Sequence, residues 1–296
     1  MAKTTCFTAE INLSLAKKLE EDLRGHGFEL SKPPYTVFSA KKKGLSCTLY
    51  ESGKLTVQGK EMDSFIEFYL EPEILGEFKF SHPVAHLDLT PHIGMDEAGK
   101  GDFFGPLCVA ACYAEGEGIQ KLQEMGVKDS KRLSDDTVLK LASKIRSATS
   151  YTVIRLFPAK YNELHAKFKN LNRLLAWAHT SALGDLVSKT GCTKALLDKF
   201  AEEYVMENAL RQKKLQVELE QKVRAESDIV VAAASILARA AFLDGMKKLS
   251  DEFSLELPKG ASSAVVAAGK KLVAKFGAEA LSKAAKTHFK TTAEIL

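Results

Sequence analysis

A chain of 296 residues has room for one large domain or two smaller ones, and 45% hydrophobic against 27% charged residues suits a protein with a sizeable buried core rather than a disordered one. No uninterrupted apolar run reaches the roughly 18 residues of a membrane span, and Met1 to Cys6 opens no signal-peptide stretch, so a cytoplasmic protein with no membrane partner is expected. The net charge of +4 is unevenly spread: residues 1–60 carry 10 Lys+Arg against 6 Asp+Glu, residues 61–90 carry 1 against 7, and residues 259–296 carry 7 against 2, so both ends have basic sections able to track a polyanion.

In chain order, residues 11–26 place Leu13, Leu15, Ala16, Leu19 and Leu23 at helical spacing, and Gly25 and Gly27 mark the end of that helix. Pro33 and Pro34 then forbid helix. Three strand-like runs follow, Tyr35–Ala40, Leu45–Tyr50 and Lys54–Gln58, and a second helix fits Glu61–Leu70. Residues 1–71 therefore read as a small α+β module. Residues 72–90, with two prolines and no clear period, read as a linker.

From Pro91 the pattern changes to alternating strands and helices, an α/β layer structure occupying residues 91–296. Ile93–Asp96 and Leu107–Tyr113 form a hairpin around a glycine-rich turn, and Tyr151–Phe157 and Lys194–Asp198 are further strands. Helices are expected over Leu133–Lys144, Leu171–Lys189, Ile229–Leu249 and Ser262–Phe276. The five cysteines contain no CxxC pair and read as reduced thiols. Cys108 and Cys112 have metal-like spacing but no histidine beside them.

Three places carry chemistry. In Gly94-Met95-Asp96-Glu97-Ala98-Gly99-Lys100-Gly101-Asp102, two adjacent carboxylates follow an apolar strand. Neighbouring residues on a strand face opposite ways, so Asp96 and Glu97 can share a metal only where the strand bends or ends. Gly99 and Gly101 allow backbone N–H groups to approach a phosphate or ribose, and Lys100 adds a positive charge. Asp198 terminates the second apolar strand, at the end of a sheet where α/β proteins bind ligands, though a lone terminal Asp also suits a helix cap. Glu226 and Asp228 precede a helix that is apolar nearly all round; the helix dipole accounts for one of them and leaves the other available. Carboxylates gathered this way raise one another's pKa unless a cation neutralises them. An all-oxygen set suits Mg2+ or Mn2+, completed by substrate phosphate, which points to two-metal phosphodiester chemistry.

The runs GMDEAGKGDFFGP, VKDSKRLSD, NLNRLLAWAH, LLD and ESDIVVAAASILAR, in this order, resemble the motifs of type 2 ribonucleases H. The Gly99-Lys100-Gly101 turn, Glu226 and the N-terminal module point to the ribonuclease HIII branch, as do the closing runs Leu257–Ser262 and Ala285–Lys290. The resemblance covers nearly the whole chain. It implies a ribonuclease H-like catalytic domain with a mixed sheet and flanking helices, behind a TATA-box-binding-protein-like substrate-binding domain. It implies a monomer that cuts the RNA strand of RNA/DNA hybrids, leaving 5′-phosphate and 3′-hydroxyl ends.

By the same resemblance Asp96, Glu97, Asp198 and Glu226 form the catalytic, metal-binding quartet. Asp96 would bridge both ions, Asp198 would help hold the one that activates water, and Asp228 stays an alternative fourth ligand. The backbone of Gly99, Lys100 and Gly101 would read the 2′-hydroxyl, the group that separates RNA from DNA. Lys128, Asp129, Ser130 and Lys131 would lie beside the hybrid, and Lys286, His288 and Lys290 would contact its backbone. Lys41, Lys42 and Lys43 at a hairpin tip are phosphate candidates, or protection of a sheet edge. Two other readings remain: incision at single ribonucleotides in DNA, as in ribonuclease HII, and a non-catalytic nucleic-acid-binding protein. A P-loop phosphotransferase is excluded, because no GxxxxGK[ST] occurs.

Overall fold

The computed structural model describes residues 6–76, 87–128 and 130–296. The chain divides into two compact units, residues 1–88 and 89–296.

The first unit is built on a five-stranded antiparallel sheet of β1 (Phe7–Glu10), β2 (Glu29–Ser31), β3 (Thr36–Lys42), β4 (Leu45–Tyr50) and β5 (Lys54–Gly59). The strand order is β1-β5-β4-β3-β2. The sequence predicts only the three central strands. The two edges are three and four residues long and half exposed, so they carry no apolar run to reveal them. Phe38, Ala40, Cys47, Leu49, Leu55 and Val57 alternate onto one face and are buried there. Helix α1 (Ala16–Gly25) adds Leu19 and Leu23 to that core. Helix α2 (Met62–Phe65) continues in wider π geometry through Ile66–Leu75. This corrects the expectation of a linker from residue 72. Pro72 sits inside the helix, whose Ile66, Leu70 and Ile74 are buried in the core. Packing has overridden proline's tendency to end a helix. Most of the remaining expected linker, residues 77–86, lies outside the described residues.

The second unit is a five-stranded mixed sheet in the order β10-β9-β6-β7-β8. Strand β6 (His92–Ala98) runs antiparallel to β7 (Leu107–Ala114), which pairs antiparallel with β8 (Ser150–Leu156). On its other side β6 is parallel to β9 (Lys194–Asp198), itself parallel to β10 (Glu218–Lys222). One face is covered by α8 (Ile229–Phe253), against which α3 (Gly116–Glu124) and α4 (Asp135–Ala148) pack, and the other by α6 (Leu171–Thr190) with α7 (Glu203–Lys213). Helix α8 is long and apolar enough to cross a membrane, but 83% of its apolar stretch is buried inside this unit, as a core helix must be. Gly94 makes its close approach possible: a Cβ there would lie 2.3 Å from the Val231 nitrogen. All five cysteines are free; Cys47, Cys108 and Cys112 are buried and Cys6 and Cys192 partly so.

Candidate active site

Strand β6 does not end at Asp96 as expected, but runs on through Glu97 to Ala98, with Asp96 opposite Ala110 and Glu97 opposite Val109 on β7. What ends is its other partnership. Pairing with β9 stops at Met95 opposite Leu197, so Asp96 and Asp198 stand side by side where two parallel strands part. The short turn Ala225–Ser227 closes on the same place: the Ala225 N–H donates to Asp198 Oδ1 at 2.9 Å. That turn carries Glu226, whose Oε1 is 3.7 Å from Lys131 Nζ. Its Oε2 is buried without a hydrogen-bond partner.

Asp96 and Glu97 face opposite sides, and each meets a different helix. Burial and the neighbouring Glu97 charge push Asp96 up to about 7, against a hydrogen bond from Ser235 of α8. Ser235 in turn lies 2.7 Å from the Ser130 hydroxyl. Glu97 Oε2 is 3.1 Å from Nε2 of the fully buried His179 on α6, and Oε1 is 3.6 Å from Lys100 Nζ. Burial alone would raise the Glu97 pKa; the His179 and Lys100 contacts outweigh it and hold the carboxyl below its ordinary value. Phe200 backs this arrangement, stacked on His179 at 5.2 Å, with Lys100 Nζ 5.6 Å from its ring centre. Asp198 is raised by burial and by the Glu226 charge, against the Ala225 N–H and Lys131.

Asp228 is otherwise engaged. Its Oδ1 accepts from the Val230 and Val231 N–H groups at 2.8 and 3.0 Å and caps α8, while both carboxylate oxygens lie 3.1 Å from His92 Nε2. Burial opposes ionisation, but these bonds keep its pKa low. Of the two acids before α8, Glu226 is thus the one with an oxygen to spare.

The residues 93–292 match the family model described as Ribonuclease HII, and residues 9–80 match a domain of unknown function (DUF3378). The chain is 55% identical to ribonuclease HIII of Protochlamydia amoebophila, over all of this chain and 98% of that one. It is 50% identical to ribonuclease HIII of Chlamydia felis over 99% and 98%. This chain belongs to the ribonuclease HIII family. Among solved structures it resembles Bst-RNase HIII in complex with Mn2+, at 28% identity and a TM-score of 0.69 over 98% of this chain and 97% of the other. Aquifex aeolicus RNase H3 follows at 25% identity and 0.58 over 96% and 100%. The second unit is accordingly the ribonuclease H-like α/β domain of this family.

The carboxylates at this sheet end have the donor chemistry of a divalent-cation site. Among the described residues no three acidic, His or Cys side chains converge closely enough to hold an ion alone. Yet the orphaned Glu226 Oε2 and the mutual charge around Asp96 are what a cation would relieve. Hard oxygen donors suit Mg2+ or Mn2+, which complete their shells with water and substrate phosphate.

Other expected substrate contacts are redistributed. Lys128 is exposed and Lys131 lies beside Glu226; Asp129 is outside the described residues. Ser130 is buried on Ser235 instead of facing a phosphate. Lys290 is exposed. His288 is exposed and stacks on His165 at 4.2 Å, and partial burial with the nearby His165 and Lys286 charges lowers its pKa to about 4 in the absence of substrate.

Lys286 is a clear correction. Its Nζ is buried and donates to the carbonyls of Asp102 at 2.7 Å and Gly105 at 2.8 Å, with Phe104 at 3.4 Å. A lysine four residues from the basic tail's next cation looks solvated in sequence; here it clamps the turn that follows the Gly99–Gly101 segment. Asn162 secures the same stretch, donating to the Ser282 and Ala285 carbonyls and accepting from the Thr287 N–H. Burial lowers the Lys286 pKa from 10.5 to about 8. The unfolded chain therefore binds more protons between those values, so Lys286 makes stability rise with pH across that window. The buried Cys47, Cys108 and Cys112 thiols, pushed up to about 12, oppose this across the same range in any variant. The expected result in denaturant unfolding from pH 7.5 to 10.5 is therefore a positive difference in slope, wild type minus Lys286→Met.

Two contributors escaped the sequence reading. His179 and Ser235 are polar residues inside apolar helices, and a buried polar group demands a hydrogen-bond partner. That demand was the available signal, but the partner's identity depends on which helix covers which face.

Proposed function

We propose that Asp96, Glu97, Asp198 and Glu226 are the carboxylates with which this ribonuclease hydrolyses the RNA strand of RNA/DNA hybrids, and that they hold Mg2+ or Mn2+ with substrate present. The observation that carries this is the meeting of β6, β9 and the Ala225–Ser227 turn at one sheet end, with a buried carboxylate oxygen left unsatisfied. Two bound ions would activate water for in-line attack and stabilise the leaving 3′ oxygen. The chain's own residues prepare the site: His179 and Lys100 keep Glu97 ionised, Ser235 orients Asp96, and the Ala225 N–H fixes Asp198. End-labelled RNA/DNA hybrid assayed beside a DNA duplex carrying one ribonucleotide tests the reading. Cleavage of the hybrid with 5′-phosphate products, dependent on added Mg2+ or Mn2+, is expected. Preferential incision at the single ribonucleotide would assign the ribonuclease HII activity instead.

The glycine turn separates structural from substrate demands. Gly99 has φ +85°, and a Cβ there would lie 2.2 Å from the Pro106 carbonyl oxygen. At Gly101 a Cβ would meet no protein atom within 4 Å. The fold does not require glycine at 101; close approach of a ribose or phosphate to its backbone does. Gly99→Ala should cost about 1–3 kcal/mol of stability. Gly101→Ala should leave the melting temperature unchanged and raise KM for hybrid by about tenfold, the cost of roughly one hydrogen bond to substrate. An unchanged KM would remove Gly101 from the substrate surface.

The first unit is read as the TATA-box-binding-protein-like, substrate-binding domain. Its helices contribute to the core on one face of the sheet. On the other, Thr8, Thr56, Thr48, Ser39 and Ser31 are register partners in a single row across all five strands. Ser39 is buried with its hydroxyl 3.0 Å from that of Thr48, and the hydroxyls of Thr8, Thr56 and Ser31 are the ones that offer hydrogen bonds to sugar and phosphate oxygens without sequence preference.

A further inference from the structure

Helices α5 (Pro158–Phe168), α6 and α7 line a groove of about 400 Å3 that the carboxylate site does not use. Phe168, Trp177 and Tyr204 give it aromatic walls, and Lys167, Arg173 and Lys213 surround them. No acidic side chain is among its lining residues, and among the described residues none of the three cations has an ion-pair partner. Lys213 Nζ stands 5.8 Å from the indole centre of Trp177, and the Phe168 ring 6.0 Å from it. Tyr204, on the first turn of α7, is 62% exposed.

This combination selects a ligand. An apolar helix would leave three cations beside its own backbone with nothing to neutralise them. An acidic peptide would neutralise them and leave the aromatic faces idle. A single nucleic-acid strand answers both, because its bases stack on aromatic rings while its phosphates pair with lysine and arginine. The residues of the groove lie close in sequence to groups that support the carboxylate site. Trp177 is two residues from His179 on α6, and Tyr204 is four residues beyond Phe200, which stacks on His179.

We propose that this groove binds single-stranded nucleic acid, holding the unpaired strand that extends from a hybrid. The site is separate from the four carboxylates, so its occupancy is measurable without cleavage. Trp177 is the only tryptophan in the chain, which makes its fluorescence a local reporter. The full-length protein is titrated, without divalent metal, with a 5′-phosphorylated oligothymidylate of about eight nucleotides, within the site sizes of such grooves. Saturable quenching is expected. Tyr204→Ala should weaken it by about tenfold or more, the effect of removing one base–aromatic stack. Arg173→Gln should weaken it and flatten its salt dependence by roughly 0.7 of a unit of log–log slope, the single-strand value per phosphate. Both variants should cleave a blunt hybrid at the wild-type rate, which verifies their fold. With a hybrid bearing a single-stranded overhang, both should lack the lower KM that the overhang gives the wild type. Absent quenching, or quenching that neither variant weakens, would overturn the proposal. So would quenching by a poly-glutamate peptide and not by the oligonucleotide, which would make the groove a protein-docking surface.

Discussion

Asp198→Asn is expected to preserve the fold and hybrid binding while lowering turnover by a factor on the order of a thousand, as loss of a preorganised charge at the reacting phosphate would. The substitution is chosen from geometry. Asp198 Oδ1 accepts the Ala225 N–H, and an asparagine oxygen can keep that bond. The turn carrying Glu226 should therefore stay in place, and the loss reports on charge. Glu226→Gln should behave alike, because its free Oε2 has no structural duty to lose. Asp228→Asn is the control: asparagine still caps α8, so turnover should stay within a few-fold, with stability falling by about 1 kcal/mol for the weakened His92 contact. Single-turnover cleavage in saturating Mg2+, with hybrid binding measured separately, distinguishes the three. Near-normal turnover in Asp198→Asn would remove Asp198 from the site, and an inactive Asp228→Asn beside an active Glu226→Gln would exchange the fourth ligand.

The catalytic unit was readable in sequence wherever one segment determined its own structure. Strand Lys194–Asp198 has the expected ends, and the apolar run from Ile229 is the buried helix its composition demands. Asp96, Glu97, Asp198 and Glu226 stand out because charges at the ends of apolar runs must serve something. What the sequence could not disclose depends on contacts between distant segments. Strand β10, ELEQK, alternates without an apolar face and is a strand only because β9 pairs with it. Ser130 looks like a phosphate donor until α8 places Ser235 2.7 Å away. Lys286 reads as one more basic tail residue, and its burial follows from the backbone carbonyls that the Asp102–Gly105 turn aims at it. The misplaced linker has the same origin: Pro72 argues against helix locally, and the core of the first unit holds it in one.

Deleting residues 1–88 should raise KM for hybrid substantially while changing turnover at saturating substrate little. The four carboxylates, His179, Ser235 and the glycine turn all belong to residues 89–296. That unit has its own hydrophobic cores, one between the sheet and α6 and another around α8 and α9 (Ser263–Phe276), and its length of roughly 200 residues is ample for independent folding. The first unit likewise closes its own core and contributes no candidate carboxylate to the site. Its contribution is the hydroxyls of Thr8, Thr56 and Ser31 on the sheet face away from its core, and Lys41, Lys42 and Lys43 at the β3–β4 turn, where Lys42 partly engages Glu61 at 3.8 Å. Phosphate neutralisation releases counterions, so truncation should flatten the salt dependence of hybrid binding by roughly one unit of log–log slope for each phosphate this unit neutralises. Removing hydroxyl groups alone should weaken binding at every salt concentration without altering that slope, so Thr8→Val and Thr56→Val in the full chain separate the two contributions. The measurement is KM and its salt dependence for the full chain, the two valine variants and the truncated protein, with circular dichroism to verify folding. Unchanged KM and unchanged slope on truncation would exclude the first unit from holding substrate and make it a partner-binding or purely structural domain.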